Sequence, residues 1–564
     1  PLRIVLEMAT VGNAIRLRFE RHLAAGVAEA LADDSPVALI VRPDVEDRSC
    51  HEITQAFLGP EHSFRQAVHP TADGFRFSPS PGHSLTCRMA PGQFVAEPEW
   101  LYLVPHPVEA ARGLNPAGDL FSPGYFRSVL AGGEAAVLTA AAGSGEAVWP
   151  LSTGEGPTEV GLDEAARRAL RRFVVRRGAS RTVIAGYPWF LDWGRDTLIC
   201  LRGIIAAGMT VEAREIIAQF ARFESRGTLP NMIRGDDASD RETSDAPLWL
   251  FTAVADYLRV TGERQVLDVD CGGRPLHRVL GDLATAVLAG TPNGIRADPE
   301  TGLVYSPAHF TWMDTNHPAG TPRQGYPIEI QALWYRALAL LDELGVAGKP
   351  WGEIAVGVRT AVVALYAGPA VDGLSDCLHA GPGVSARQAR ADDACRPNQL
   401  LAVTLGLIEG EAARRSVEAC WPLLVPGGIR SLADQPVVQP LAVRHRGQLL
   451  NDPTRPYWGR YEGDEDTRRK PAYHNGTAWS WLFPSFAEAL VLAYGVTARP
   501  VARQLLYSLG PVLEAGCLGH VPEIVDGDAP HTQRGCVAQA WGVSELLRVL
   551  TMLRDETPEV APVS

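Results

Sequence analysis

Ile330, Leu333, Trp334, Ala337, Leu338, Leu341 and Leu344 recur at spacings of three and four within residues 329–344. That period marks one face of a helix. Gly345 follows and is expected to stop it. Stripes of the same period recur near 163–177, 195–208, 211–224, 245–260, 353–367, 398–408, 476–494 and 535–553. Weaker stripes bring the expectation to roughly a dozen helices. Loops rich in Pro, Gly and charge separate them, and no strict repeat unites them. A dozen helices in one domain suit an (α/α)6 toroid, with six inner helices ringed by six outer ones. Periodicity alone does not separate that fold from an irregular helical domain.

The first 150 residues read differently. Pro36–Pro43, Phe75–Phe77 and Leu101–Val104 are short β-rich runs set between Gly, Pro and His-Pro breaks. A β-sandwich is the natural solution, whole or in part. The fold expected is therefore mainly α: a sandwich over 1–150, a small polar linker over 151–162, and a toroid over 163–555.

Composition narrows the class of partner. The 564 residues are 46% hydrophobic and 21% charged, with a formal net charge of −13. Such a chain lacks the basic surface that phosphate neutralisation needs, so we expect no nucleic-acid partner. No apolar run is long enough to span a bilayer, so no membrane partner is expected. Nine scattered cysteines, none in a C-x-x-C pair, suggest reduced thiols and a cytoplasmic protein. The chain begins at Pro1, so the lack of a visible signal peptide carries little weight. Asn475-Gly-Thr477 forms a glycosylation sequon, read here as coincidence. Oligomeric state is not legible.

The informative residues cluster in loops and at helix starts. Pro188–Thr197, Thr228–Met232, Thr243–Trp249, Phe310–Asp314 with Gly325–Glu329, Tyr473–Trp479 and Val521–His531 stand out. Each combines an aromatic or Pro with an acid, amide or His, the second having only Pro230 and Asn231. Sugar hydroxyls need carboxylate, amide and guanidinium partners, and the C–H faces of the ring need aromatic walls. Cleaving a glycosidic bond needs two carboxyl groups, one to protonate the leaving oxygen and one to activate water or attack. Asp314, beside Phe310, Trp312 and Met313, is the candidate acid, because apolar packing favours a protonated carboxyl. Glu523, after a Pro in a Gly-rich loop, is the candidate base, with Asp526 and Asp528 as rivals. No pair of Cys and His has zinc-site spacing, and the acidic run 235–240 lacks the EF-hand pattern, so no metal or cofactor is expected. Nucleotide, serine-hydrolase and metalloprotease motifs are absent.

Tyr187-Pro-Trp-Phe…Trp-Gly-Arg-Asp-Thr197, Thr311-Trp-Met-Asp314, Pro327–Tyr335, Arg396-Pro-Asn-Gln399, Tyr473-His-Asn-Gly-Thr477 and Glu523–His531…Gly535–Trp541 resemble, in order, the glucosidase domain of glycogen debranching enzymes. That is the amylo-α-1,6-glucosidase family. The resemblance covers about 160–555, and more weakly the β region before it. It implies an (α/α)6 catalytic domain and hydrolysis with inversion at the anomeric carbon. Its expected partner is a branched α-glucan such as glycogen or limit dextrin.

More distantly, the arrangement is similar to glucoamylases and trehalases. By that likeness Asp314 is the acid and Glu523 the base, and Arg195 and Asp196 grip the terminal hydroxyls. The same likeness makes Trp193, Asp245, Trp312, Glu329, Asn398, His474 and Trp479 substrate contacts, with Trp189 as a further floor to the ring. Plainer readings stand beside these. Arg195 and Asp196 can form a salt bridge or cap at a helix start, and Asp245 can be an N-cap. Glu329 can serve a helix dipole, and His474 can be a structural hydrogen-bonder.

The chain departs from the family pattern at Arg241-Glu242, where Tyr-Asn is usual, and at Gln331, where Asn is common. We read these departures as bearing on the acceptor side. The eukaryotic enzymes carry a separate transferase module, and here glucosidase activity alone is expected. A toroidal glycosidase of another linkage and a non-catalytic glucan-binding protein are the alternatives.

Overall fold

The computed structural model describes residues 2–9, 11–24, 31–49, 52–111, 113–143, 145, 147–149, 161–315, 321–368 and 372–554. Most of the expected linker falls at 150–160, outside the described residues. The chain divides into two compact units, 1–159 and 160–564.

The first unit is built from strands β1 (Leu2–Met8), β2 (Asn13–Arg21), β3 (Val37–Val41), β4 (Val68–Thr71), β5 (Gly74–Phe77), β6 (Leu85–Ala90), β7 (Gln93–Pro105), β8 (Ala117–Leu130) and β9 (Ala135–Ala142). They form an antiparallel sheet of order β1-β2-β9-β6-β5-β4 and a second of order β3-β8-β7. Phe75 of the first sheet lies 4.9 Å from Phe94 and 6.1 Å from Phe126 of the second. These rings and Phe121, Met89 and Leu138 make a shared core. The alternation of buried and exposed positions along β5 and β6 is what seats that core between two sheets.

The second unit carries twelve main helices among the described residues: α1 (Leu162–Phe173), α2 (Gly194–Ala206), α3 (Thr210–Arg222), α4 (Ala246–Thr261), α5 (Leu276–Ala289), α6 (Ile328–Glu343), α7 (Trp351–Leu365), α8 (Gln399–Thr404), α9 (Gly410–Cys420), α10 (Phe483–Tyr494), α11 (Arg499–Tyr507) and α12 (Ala540–Arg554). The even-numbered helices touch in sequence and close a ring, α2-α4-α6-α8-α10-α12-α2, with odd-numbered helices packed outside. This is a helical toroid.

Ring closure has a local cause. Ser544 of α12 accepts from the backbone N–H of Gly203 on α2 at 3.1 Å and donates to the Cys200 carbonyl at 2.9 Å. A Cβ at Gly203 would lie 2.3 Å from the Ser544 hydroxyl, so only glycine admits the approach. Inner helices are covered on both sides, which is why α2 is buried from Gly194 to Ile205.

Four stripes run longer than their helices, the one at 398–408 stopping at Thr404. The first helix ends at Phe173, and Val174–Arg177 turns back as a hairpin with Ser180–Val183. Residues 476–482 are not helical, because Pro484 fits only the first turn of a helix that begins at Phe483. Ala538–Gln539 pairs with Gly186–Tyr187 before α12 begins. The helix at 328–343 buries the expected stripe, and Gly345 follows it with φ 66°.

Each inner helix begins near the candidate site. Trp193 precedes α2, Asp245 precedes α4, Asn398 precedes α8 and Gln539 precedes α12. A small sheet of order 424–425, 428–430, 478–479, 524–525 and 533–534 holds two of the intervening loops.

Candidate active site

The segment that carries Arg195 is anchored from two directions. Asp192–Trp193 pairs with Met232–Ile233, and the N–H of Gly194 donates to the Asn231 carbonyl at 2.8 Å. The first turn of α2 then projects Arg195 and Asp196 into the ring. On the far side, the pairing of Trp479 with Ile524 sets Glu523 beside the Trp479 loop.

These anchors create a narrow pocket of about 70 Å³, lined by Phe190, Trp193, Arg195, Asp196, Trp312, Asp314, Tyr473, Trp479, Glu523, Gln539 and Trp541. Four larger cavities lie elsewhere, and none sets acids among more than one aromatic ring. The chemistry of the lining, rather than its size, selects this one.

Asp314 and Glu523 share the pocket in different settings. Asp314 does not sit in the purely apolar surroundings expected from its neighbours. Its Oδ2 accepts from Arg195 Nη1 at 2.9 Å, while about 30% of the side chain stays open. Burial raises its pKa above the usual carboxylate range, and Arg195 opposes that shift.

Glu523 is almost wholly buried. The Tyr473 hydroxyl donates to its Oε1, and the Cys536 backbone N–H donates to Oε2 at 2.8 Å. Burial, and then Glu523 itself, hold the Tyr473 phenol well above its ordinary pKa, so it remains a donor. Asp526 and Asp528 do not line the pocket. Asp526 accepts from the Tyr461 N–H at 2.8 Å and from Arg534 at 3.0 Å, and Asp528 accepts from Tyr457 at 2.8 Å.

A third carboxyl, Asp196, completes the acidic wall. Burial raises its pKa to about 7, Arg195 pulls it down, and Asp314 and Glu523 push it up further. Trp312 meets Trp479 edge-on at 5.0 Å, and Trp541 stands 6.0 Å from Trp479. These rings supply the flat apolar surfaces that a pyranose ring packs against.

Four expected substrate contacts stand behind the pocket instead. Asp245 is 1% exposed and accepts from Arg195 Nε at 2.7 Å and from Thr243 at 2.7 Å. It occupies the N-cap position of α4, but its side chain serves Arg195 rather than the helix. Glu329 is 1% exposed and is held by Arg323, with Nη2 to Oε2 at 2.6 Å. Asn398 accepts from the Trp312 indole at 2.7 Å and donates to Asp376 at 2.7 Å. His474 stacks on Trp479 at 5.2 Å. Burial, with Arg396, Arg323 and Arg195 nearby, lowers its pKa well below the usual value. Trp189 is also buried outside the lining.

For the two carboxylates the reason is the same: a buried carboxylate needs a partner, and Arg195 supplies it to Asp245 and Arg323 to Glu329. Arg323 binds Glu329, donates to Asp376 at 2.6 Å and donates to the Thr311 hydroxyl at 3.0 Å. Thr311 in turn accepts from Arg195 Nη2 through its carbonyl at 3.0 Å. The loop bearing Asp314 is thus braced from below.

Arg195 therefore spends three of its five N–H donors on protein and still lines the pocket. The departures from the family pattern are structural too. Arg241 donates to the Thr228 carbonyl at 2.9 Å, and Gln331 bonds both backbone groups of Val304. Neither lines the pocket.

Phe190, Tyr473, Gln539 and Trp541 are lining residues that sequence reasoning left unassigned. All lie within or beside the quoted motifs, so proximity to them was the available signal.

The Asn475 sequon is buried at 2% exposure. Eight cysteines among the described residues are free thiols. No helix among them is long and apolar enough to cross a membrane.

The profile described as amylo-alpha-1,6-glucosidase matches residues 168–548, and that described as glycogen debranching enzyme N terminal matches 5–137. The glycogen debranching enzyme of Saccharomyces cerevisiae is 23% identical over 402 residues, covering 55% of this chain and 25% of its own length. The match thus spans about a quarter of that curated relative. A bacterial glucoamylase solved with acarbose superposes with a TM-score of 0.51 at 10% identity, covering 98% of this chain and 81% of its own. That likeness bears on the fold alone. A glycosidase variant solved with glucose gives a TM-score of 0.45 at 16% identity, over 70% of this chain and 96% of its own. The chain belongs to the amylo-alpha-1,6-glucosidase family.

Proposed function

We propose that this protein is an exo-acting, inverting amylo-α-1,6-glucosidase that removes single glucose stubs from a branched α-glucan such as glycogen or limit dextrin. The observation that carries the reading is that Asp314 and Glu523, from separate loops, line one narrow pocket with Asp196 and aromatic walls.

Asp314 protonates the glycosidic oxygen as the bond to C1 breaks. Its raised pKa favours the protonated acid, and a bound sugar that excludes water strengthens that bias. Glu523 takes a proton from a water whose oxygen attacks C1 from the opposite face. Solvent then returns the proton from Glu523 to Asp314. Tyr473 and the Cys536 N–H fix the base, and Arg195 fixes the acid. Asp196 accepts from sugar hydroxyls. The free thiols support a reducing, cytoplasmic setting.

The test is glucose release from singly branched and linear oligosaccharides, with the first anomer followed by NMR. Release from the branched substrate alone, as β-glucose, is expected. Equal release from linear chains would overturn the linkage, and α-glucose would overturn inversion.

A further inference from the structure

A second cavity, of about 540 Å³, lies at the opposite ends of the inner helices. Residues from all six of α2, α4, α6, α8, α10 and α12 line it. Its wall carries Arg202, Arg259, Arg336, Arg499 and Arg548 against two carboxylates, Asp256 and Glu488. Glu545, behind the wall, is a third. Five positive groups against three negative leave an excess of two.

Part of this wall is a closed ion network. Arg202 holds Asp256 at 2.9 Å, and Arg548 holds Glu488 and Glu545 at 2.6 Å each. Arg336 stands apart. Among the described residues no hydrogen bond or ion pair involves it, although it is only half exposed. Two hydroxyls in the same wall, Thr252 and Thr404, are buried and also lack a partner.

Arginines are favoured near helix C-termini, where they cap carbonyls. Arg336 caps none, and it lies inside α6 rather than at its end. An unpaired guanidinium inside a cavity, among other guanidinium groups, repels its neighbours unless an anion joins it. The planar fork of arginine matches a phosphoryl group with two parallel bonds, and hydroxyls complete such a site. The volume falls in the range of metabolite-sized ligands.

We propose that this cavity binds a small phosphate ester, held by Arg336 and its neighbouring arginines at the end of the toroid away from the glucosidase pocket. The proposal stands independently of the linkage the enzyme cleaves.

Calorimetric titration of the full chain with inorganic phosphate, and separately with glycerol 2-phosphate, tests it at constant ionic strength set with chloride. Saturable one-to-one binding of both is expected. Arg336→Gln should weaken it at least tenfold and Arg336→Lys less. Without phosphate, Arg336→Lys should melt with the wild type and Arg336→Gln no lower, because neither substitution breaks a bond in the protein and the second removes an unpaired charge. Glucose at saturation should leave phosphate binding unchanged. Failure of the wild type to saturate, equal affinity in Arg336→Gln, or competition by glucose would each overturn the proposal.

Discussion

Arg195 reaches Asp314 at 2.9 Å while being held at its other edge by Asp245, at 2.7 Å. The pocket acid is therefore oriented by a guanidinium that is itself fixed from behind. An ammonium could not span both partners, because it lacks the planar fork. Arg195→Lys should lower kcat by about a hundredfold or more, through a misplaced acid. It should also lower the melting temperature. Arg195→Ala should cost more, on the order of 3–5 kcal/mol, because Asp245 stays buried without its charge partner. Chemical denaturation and steady-state kinetics on both variants check this. Normal turnover in Arg195→Lys would show that Asp314 needs no such brace.

Asp314→Asn and Glu523→Gln each keep the shape of the pocket and remove one proton-transfer group. Each should lower kcat by about 10²–10⁴-fold while calorimetric glucose binding persists. If Glu523→Gln kept near-normal turnover, the base would have to come from elsewhere. Asp526 and Asp528 would not replace it readily, since both are held by other side chains outside the pocket.

The toroid was legible because its helices carry apolar faces at helical spacing, and the pocket because Trp193, Arg195, Asp196, Trp312, Asp314, Trp479 and Glu523 fall in motifs. What the sequence concealed was depth. Asp245, Glu329, Asn398 and His474 have the same chemistry as pocket residues, and the spacing along the chain does not tell which side of a loop they face. Their position behind the pocket depends on Arg195, Arg323 and Arg396, which come from elsewhere in the chain. Arg323 carries no motif of its own. It sits after Pro322 with φ 45°, a conformation invisible to periodicity. The stripes at 476–494 and 535–553 overrun their helices for a related reason: two-residue strands at Ala478–Trp479 and Ala538–Gln539 pair with distant segments and override a local stripe.

Tyr473 positions Glu523 through its hydroxyl, which donates to Oε1. A hydrogen bond to a charged group contributes about 1.5–3 kcal/mol. Tyr473→Phe should therefore lower kcat by roughly ten- to a hundredfold with KM little changed. A change in KM alone would instead mark Tyr473 as a sugar contact.

Gly535 lies under the same carboxylate. It adopts φ 66°, and a Cβ there would stand 2.3 Å from Glu523 Oε2. Gly535→Ala should displace the base and lower kcat more than it lowers stability, since the backbone cost alone is on the order of 1 kcal/mol. Parallel kinetics and melting separate the two effects. A variant that loses stability but keeps kcat would show that the contact is merely steric.

Asp196 gives the fold a pH dependence of a defined sign. In the native state burial lifts its pKa to about 7, whereas an unfolded chain returns it to about 3.9. Between those values the unfolded chain has lost the proton and the native chain keeps it. The native state then binds more protons, so stability falls as pH rises. The contribution of the protonated carboxyl is whole below about pH 4 and is lost as pH climbs through about 7. Asp196→Asn cannot titrate and escapes that loss. Scanning calorimetry at pH 5 and pH 8 should show the melting temperature of the variant gaining on the wild type at the higher pH. An equal gap at both would mean that Asp196 titrates outside this window, and that the three pocket carboxyls do not share a low-dielectric wall.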